Sequence, residues 1–230
     1  MRPTLWSGSN CSRVTSKMLQ QGALSGLKVV ELSDQVAGSF CARLMGDAGA
    51  DVVKVEPPDG DRYRRSGPYP GGSTDPEWSG MFLYLNSNKR GVSLDIEAPG
   101  GRAVFLDLVA AADFLVVGEN SSKIERLGLR RERLAETNQG LIVTSITPFG
   151  LTGPNSSYLG DDLIAISAGG MAYATPGIPD MVGDPDLEPP LRSNTDMAGY
   201  LAGVQGAVAS VAALLSRKIR GVGCEIDLSI

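Results

Sequence analysis

The sequence predicts an α/β fold: a Rossmann-like, doubly wound, mostly parallel sheet. Short runs rich in Val, Leu and Ile recur along the chain, each suited to one strand buried on both faces. Segments with helical spacing of apolar residues lie between them. The turns are rich in Gly and Pro, of which the 230 residues hold 29 and 14. A chain of this length is expected to form one domain with a sizeable core.

Leu27–Leu32 reads as the first buried strand, and 33–38 as a loop. Ser39–Ala48 has helical spacing, with Phe40, Leu44 and Met45 on one face and Gly49 as its stop. Asp51–Glu56 is the next strand, ended by Pro57 and Pro58. Strand, helix and strand within about 30 residues make a parallel βαβ unit. Residues 57–80 read as loop and carry Arg62, Arg64 and Arg65. Val92–Asp95 is a short strand, and Gly101–Ala111 a helix with Val104, Phe105, Leu108 and Val109 as its stripe. Asp113–Val117 and Leu141–Ile146 are further strands. Ser122–Leu127, Arg130–Thr137 and 161–168 are short helices, 175–194 is a Pro- and Asp-rich loop, and Cys224–Ile230 is a last strand. Asp196–Arg217 is a long helix whose uncharged stretch Met197–Leu215 is dominated by Ala and Gly. A lipid-facing helix is richer in Leu, Ile and Phe, so the reading is a buried helix packed closely through small residues, with no membrane partner.

Composition narrows the chemistry. Histidine is absent, which removes the usual general base, every Ser-His or Cys-His nucleophile and the commonest metal ligand. Cys11, Cys41 and Cys224 form no C-x-x-C pair, so neither a metal site nor a disulfide framework is expected. The net charge of -5 argues against a nucleic-acid partner. No G-x-G-x-x-G follows the first strand, against a generic dinucleotide binder. Residues 1–23 read as a disordered leader and 24–230 as the domain. The basic, Ser-rich start also has the composition of an organelle import signal; the location expected is cytoplasmic, with mitochondrial import as the alternative.

Five segments in order resemble the family III CoA-transferases, a superfamily that includes formyl-CoA transferase, carnitine CoA-transferase and α-methylacyl-CoA racemase. They are Leu24–Leu32; Leu44–Pro58; Asn88–Asp95; Ser145–Pro154, which reads SITPFGLTGP; and Thr195–Gly199. The resemblance implies the family's large domain without its C-terminal half, since family members are nearly twice as long. It implies CoA transfer from an acyl-CoA donor to a small carboxylic acid, with no permanently bound cofactor and with an interlocked homodimer as the assembly. Asp196 falls where the family keeps its catalytic carboxylate. Gln35, Val36 and Ala37 match a CoA-contact loop, Leu94 a contact near the adenine, and Arg126 a basic position; Lys89 and Arg90 are further candidates. The chain departs from the pattern at Ser39, Glu97, Gly118-Glu119 and Ile166, which bears on nucleotide binding and on the choice of acid.

A carboxylate nucleophile needs no histidine. Asp196 stands at the expected start of a long helix, where backbone N–H groups favour the ionised form; taken alone, the position equally describes an ordinary N-cap. Asp161 matches the His of the racemase branch, so an acyl-CoA racemase would lack half its proton-transfer pair; Asp161 and Asp162 read better as a cap for the helix that follows. A non-catalytic CoA-binding module is the remaining alternative.

Overall fold

The computed structural model of the chain describes residues 22–175 and 193–230. The expected leader and most of the expected 175–194 loop lie outside them. Six strands form one sheet: β1 (Lys28–Ser33), β2 (Asp51–Glu56), β3 (Lys89–Ser93), β4 (Phe114–Gly118), β5 (Ile142–Thr147) and β6 (Glu225–Ser229). Their order is β3-β2-β1-β4-β5-β6, and every pairing is parallel. The order reverses between β1 and β4, which makes the C-terminal ends of those strands the switch point where open α/β sheets bind ligands.

The apolar strand runs supply both faces, because alternate side chains point to opposite sides. Val29, Val52, Phe114, Val116, Ile142 and Ile146 face one core. Two helices cover it: α1 (Val36–Asp47) and the last long helix, Met197–Arg220. Val30, Val55, Leu115, Val117, Leu141 and Val143 face the other core, packed by Phe105, Val109, Ile124 and Leu134. Those four come from α3 (Pro99–Ala110), α4 (Ser121–Arg126) and α5 (Arg131–Leu134). A short α2 (Gly80–Leu85) follows three 3-10 turns, and α6 (Asp162–Ala168) precedes the long helix, α7.

Besides α2, which the sequence reading does not contain, three elements differ from expectation. α1 begins at Val36 rather than Ser39: Gln35 is its N-cap by backbone geometry but offers no side-chain bond, so the sequence holds no start signal there. β3 begins at Lys89 rather than Val92, because two polar residues open this edge strand. α7 is not buried all round. Its small residues Gly199, Ala202, Gly203, Gly206, Ala207 and Ser210 are buried, whereas Leu201, Val204, Val208, Leu215 and Ile219 form an exposed apolar stripe. By length and composition α7 is apolar enough to cross a membrane, but its small-residue face is seated on α1 and β5. The close seating follows from the glycines: a Cβ at Gly203 would lie 2.8 Å from the Ala37 carbonyl oxygen and 3.2 Å from the Cys41 nitrogen.

Candidate active site

A cavity of about 260 Å³ opens at the C-terminal edge of the sheet. Residues after β1 (Gln35, Val36, Ala37) form one wall, and Arg62 and Tyr63, after β2, a second. Pro148 and Ile230 follow β5 and β6. The remaining wall is made by Asp161 and Asp162 at the start of α6 and by Asp196 and Gly199 at the start of α7. Three helix N-termini therefore converge on one space, and each carries partial positive charge. Asp caps close α6 and α7, whereas no side chain caps α1.

The backbone fixes these walls. Ser33 ends β1, and its hydroxyl accepts from the Gln35 N–H at 3.1 Å. A Cβ at Gly118 would sit 2.1 Å from Ser33 Oγ, and one at Gly38 2.5 Å from it. Only glycines let the ends of β1 and β4 and the first turn of α1 approach so closely. Across the cavity, Asp61 caps the turn Arg62–Arg65, its Oδ1 accepting from the Tyr63 N–H at 2.7 Å. Arg62 donates to the Tyr63 hydroxyl at 3.0 Å. Burial raises the Tyr63 pKa, and Asp196 adds to that rise while Arg62 opposes it.

Asp196 is half-buried, and its Oδ1 accepts from the Gly199 N–H at 2.9 Å. The carboxylate lies against Gly199: a Cβ there would stand 2.5 Å from Oδ1 and 3.1 Å from Oδ2. Asp162 is 4% exposed and reaches the same helix end, its Oδ1 accepting from the Ala198 N–H at 2.9 Å. Asp161 caps α6 by accepting from the Ile164 N–H at 3.0 Å. The capping role expected for the Asp161–Asp162 pair at α6 is thus divided: Asp161 holds α6, and Asp162 holds α7.

The structure brings Asp196, Gln35, Val36 and Ala37 to one cavity. It does not bring the other candidates there. The Lys89 ammonium is buried beneath α1, 2.6 Å from Glu31 Oε2 and 2.8 Å from the Ser39 carbonyl oxygen. Burial lowers the Lys89 pKa, and Glu31 opposes that. Arg90 is exposed and paired with Asp51 at 2.7 Å, at the opposite end of the strands. Leu94 is half-buried just past β3 and packs on the second core. Arg126 makes a two-point pair with Glu97 at 2.8 and 3.1 Å, three residues beyond Leu94, so these two candidates share one flank of the domain. Burial pushes the Cys41 thiol up to about 12, so it offers no nucleophile at neutral pH. No cluster of metal-ligating side chains occurs among the described residues.

Arg62 and Tyr63 are polar wall residues that motif reading leaves out. The signal for them is Asp61, a cap residue directly before them in a Pro- and Gly-rich stretch.

A parallel sheet with its cavity at the switch-point edge and an acidic helix cap in the wall defines a Rossmann-like α/β domain. Residues 24–230 match CoA-transferase family III, and the chain belongs to that family. It is 36% identical over 205 residues to the BbsE subunit of succinyl-CoA:(R)-benzylsuccinate CoA-transferase of Thauera aromatica, covering 89% of this chain and 48% of that protein. It is 35% identical over 209 residues to the β subunit of succinyl-CoA–L-malate CoA-transferase of Chloroflexus aurantiacus, covering 90% of this chain and 49% of that protein. The crystal structure of a CAIB/BAIF family protein from Brucella suis superposes with a TM-score of 0.77 at 34% identity, over 90% of this chain and 53% of that one. The chain spans about half the length of the curated relatives it matches.

Proposed function

We propose that the protein carrying this chain transfers CoA from an acyl-CoA to a free carboxylic acid, with Asp196 as the covalent carrier. The observation that carries this reading is the Asp196 carboxylate in the wall of the cavity faced by Gln35–Ala37. The relatives are named CoA-transferases, and several names specify succinyl-CoA, which makes it the first donor to try.

The chemistry balances without an added base. One Asp196 oxygen attacks the thioester carbonyl, the C–S bond breaks, and CoA leaves as thiolate, giving a mixed anhydride. The thiolate then attacks the Asp196 carbonyl carbon and releases the donor as its free acid anion. The acceptor carboxylate attacks the resulting aspartyl thioester, and the thiolate returns to the acceptor carbonyl, restoring Asp196. No proton is moved. The start of α1, which no side chain caps, lines the same cavity, and its backbone N–H groups are assigned to the thioester oxygen as that oxygen gains charge. The adenosine end of CoA is assigned to the flank of Leu94 and Arg126.

The test is incubation of the whole protein with succinyl-CoA and a panel of dicarboxylic acids. Hydroxylamine trapping and peptide mass spectrometry follow. A hydroxamate on Asp196 and acceptor-dependent loss of succinyl-CoA are expected. An active enzyme whose adduct lies elsewhere, or that forms none, refutes the assignment. We also propose a homodimer as the working assembly; the exposed stripe of α7 supports a covering partner, and sedimentation of the whole protein as a monomer would exclude it.

A further inference from the structure

Four charged side chains lie buried together behind the cavity. Glu31, Lys54, Asp61 and Lys89 have side chains only 0 to 2% exposed. Such a cluster is a poor source of stability, since apolar residues of similar volume would hold a core at least as well. Its geometry points to another use.

The Lys54 ammonium has three donors, and three oxygens stand within 3 Å of it. They are Glu31 Oε1 at 2.9 Å, Asp61 Oδ2 at 2.8 Å and the Ser33 carbonyl oxygen at 2.6 Å. Those of Glu31 and Ser33 belong to β1, and that of Asp61 to the turn after β2. Ser33 leads into Gln35, Val36 and Ala37, whereas Asp61 caps the turn that carries Arg62 and Tyr63. Glu31 is held in turn by Lys89 and by the Ser39 hydroxyl at 3.0 Å, which anchors the ammonium to β1, β3 and α1. The loop after β2 has a second tie: Glu56 Oε2 accepts from the Asp61 N–H at 3.0 Å and pairs with Arg64 at 2.7 Å.

We propose that Lys54 is a positioning residue of the Asp196 cavity, its one ammonium joining the Ser33 carbonyl to the Asp61 cap and so setting the distance between two facing walls. Its importance for catalysis rests on the reading of this cavity as the reaction site; the positioning itself does not.

The test uses Asp61→Asn in the whole protein. Asparagine still accepts from the Tyr63 N–H, while its amide removes the charge facing Lys54 and leaves Glu31, Lys54 and Lys89 in place. Limited trypsin digestion without substrate reads the loop directly. Cleavage at Arg62 and Arg65 is expected to rise about tenfold, the effect of losing one charge-assisted bond on local opening, with cleavage at Arg130–Arg133 unchanged. With succinyl-CoA, a raised KM and lowered kcat are expected. Lys54→Arg, which keeps the charge on a longer, planar head, should show the same selective loop exposure if Asp61→Asn yields little folded protein. Unchanged cleavage at 62–65 in a folded variant overturns the proposal. So does cleavage that rises equally at both regions, which assigns Lys54 to global stability alone. If selective exposure is seen but the wild-type protein transfers no CoA, the positioning stands and the proposed reaction falls.

Discussion

Asp196 is at once the N-cap of a 24-residue helix and the proposed nucleophile, and two substitutions separate these roles. Asp196→Asn keeps an oxygen acceptor for the Gly199 N–H, and Asn caps helices as well as Asp does. Its stability is expected to fall by no more than a few tenths of a kcal/mol. Asp196→Ala removes the 2.9 Å bond altogether. Loss of a cap costs about 0.5–2 kcal/mol, and the lower half of that range applies here, because Asp162 still holds the Ala198 N–H of the same turn. Urea unfolding of the whole protein, followed by circular dichroism, measures both. Transfer of CoA from succinyl-CoA should drop at least about a thousandfold in both variants, as a lost covalent carrier requires. Asp196→Asn retaining transfer within tenfold of wild type would refute the nucleophile. Equal stability of the Asn and Ala variants would refute the cap.

Gly203→Ala places a methyl 2.8 Å from the Ala37 carbonyl oxygen, a backbone atom that cannot swing aside; a loss of about 1–3 kcal/mol by urea unfolding is expected. Transfer should weaken too, because α7 is pushed from the first turn of α1, which lines the cavity with Asp196. Glu31 is buried, which alone would raise its pKa, but Lys54 and Lys89 hold it below the ordinary value of 4.5. Its ionised form therefore adds stability that is complete above pH 4.5 and is lost as pH falls through the depressed folded value. Glu31→Gln should cost about 3–5 kcal/mol at neutral pH, and the gap to wild type should narrow in melts below pH 4.5. Glu97→Gln frees the exposed Arg126 guanidinium; tighter binding of free CoA by calorimetry is expected at low salt, fading at high salt.

The central strands were plain in the sequence because a parallel sheet buried on both faces needs mainly apolar runs, and Val29-Val30, Phe114–Val117 and Leu141–Val143 supply them. The edge was not. Lys89 and Arg90 precede the expected strand Val92–Asp95, yet they open β3, and the Lys89 ammonium is buried against Glu31, a partner far away in the chain. Lys54 gave a visible sign, a lone cation among the valines of β2, but its three partners come from β1 and from the turn after β2, a meeting that local pattern does not encode. α2 was hidden because six residues hold too little periodicity to stand out in a Pro- and Gly-rich stretch. In the site, family resemblance marked Asp196 and Gln35–Ala37, which do share a cavity. It also marked Lys89 and Arg126, whose charges are taken by Glu31 and Glu97. A motif conveys residue type; whether a charge remains available depends on its neighbour in space.

The cap and the nucleophile need not compete. A carboxylate oxygen engaged by a helix N–H has one lone pair fewer to offer in attack. In the proposed cycle, however, Asp196 becomes an acyl group and is itself attacked by thiolate and by the acceptor acid. Its carbonyl oxygen then gathers negative charge, and the Gly199 N–H already stands at hydrogen-bond distance from that oxygen. The bond that caps the ionised side chain becomes the donor that stabilises each tetrahedral state formed on it. Gly199 suits this arrangement because a side chain there would occupy the space of the carboxylate. Asp162 adds the second part: by holding the Ala198 N–H it keeps the first turn of α7 in place when Asp196 loses its charge to acylation.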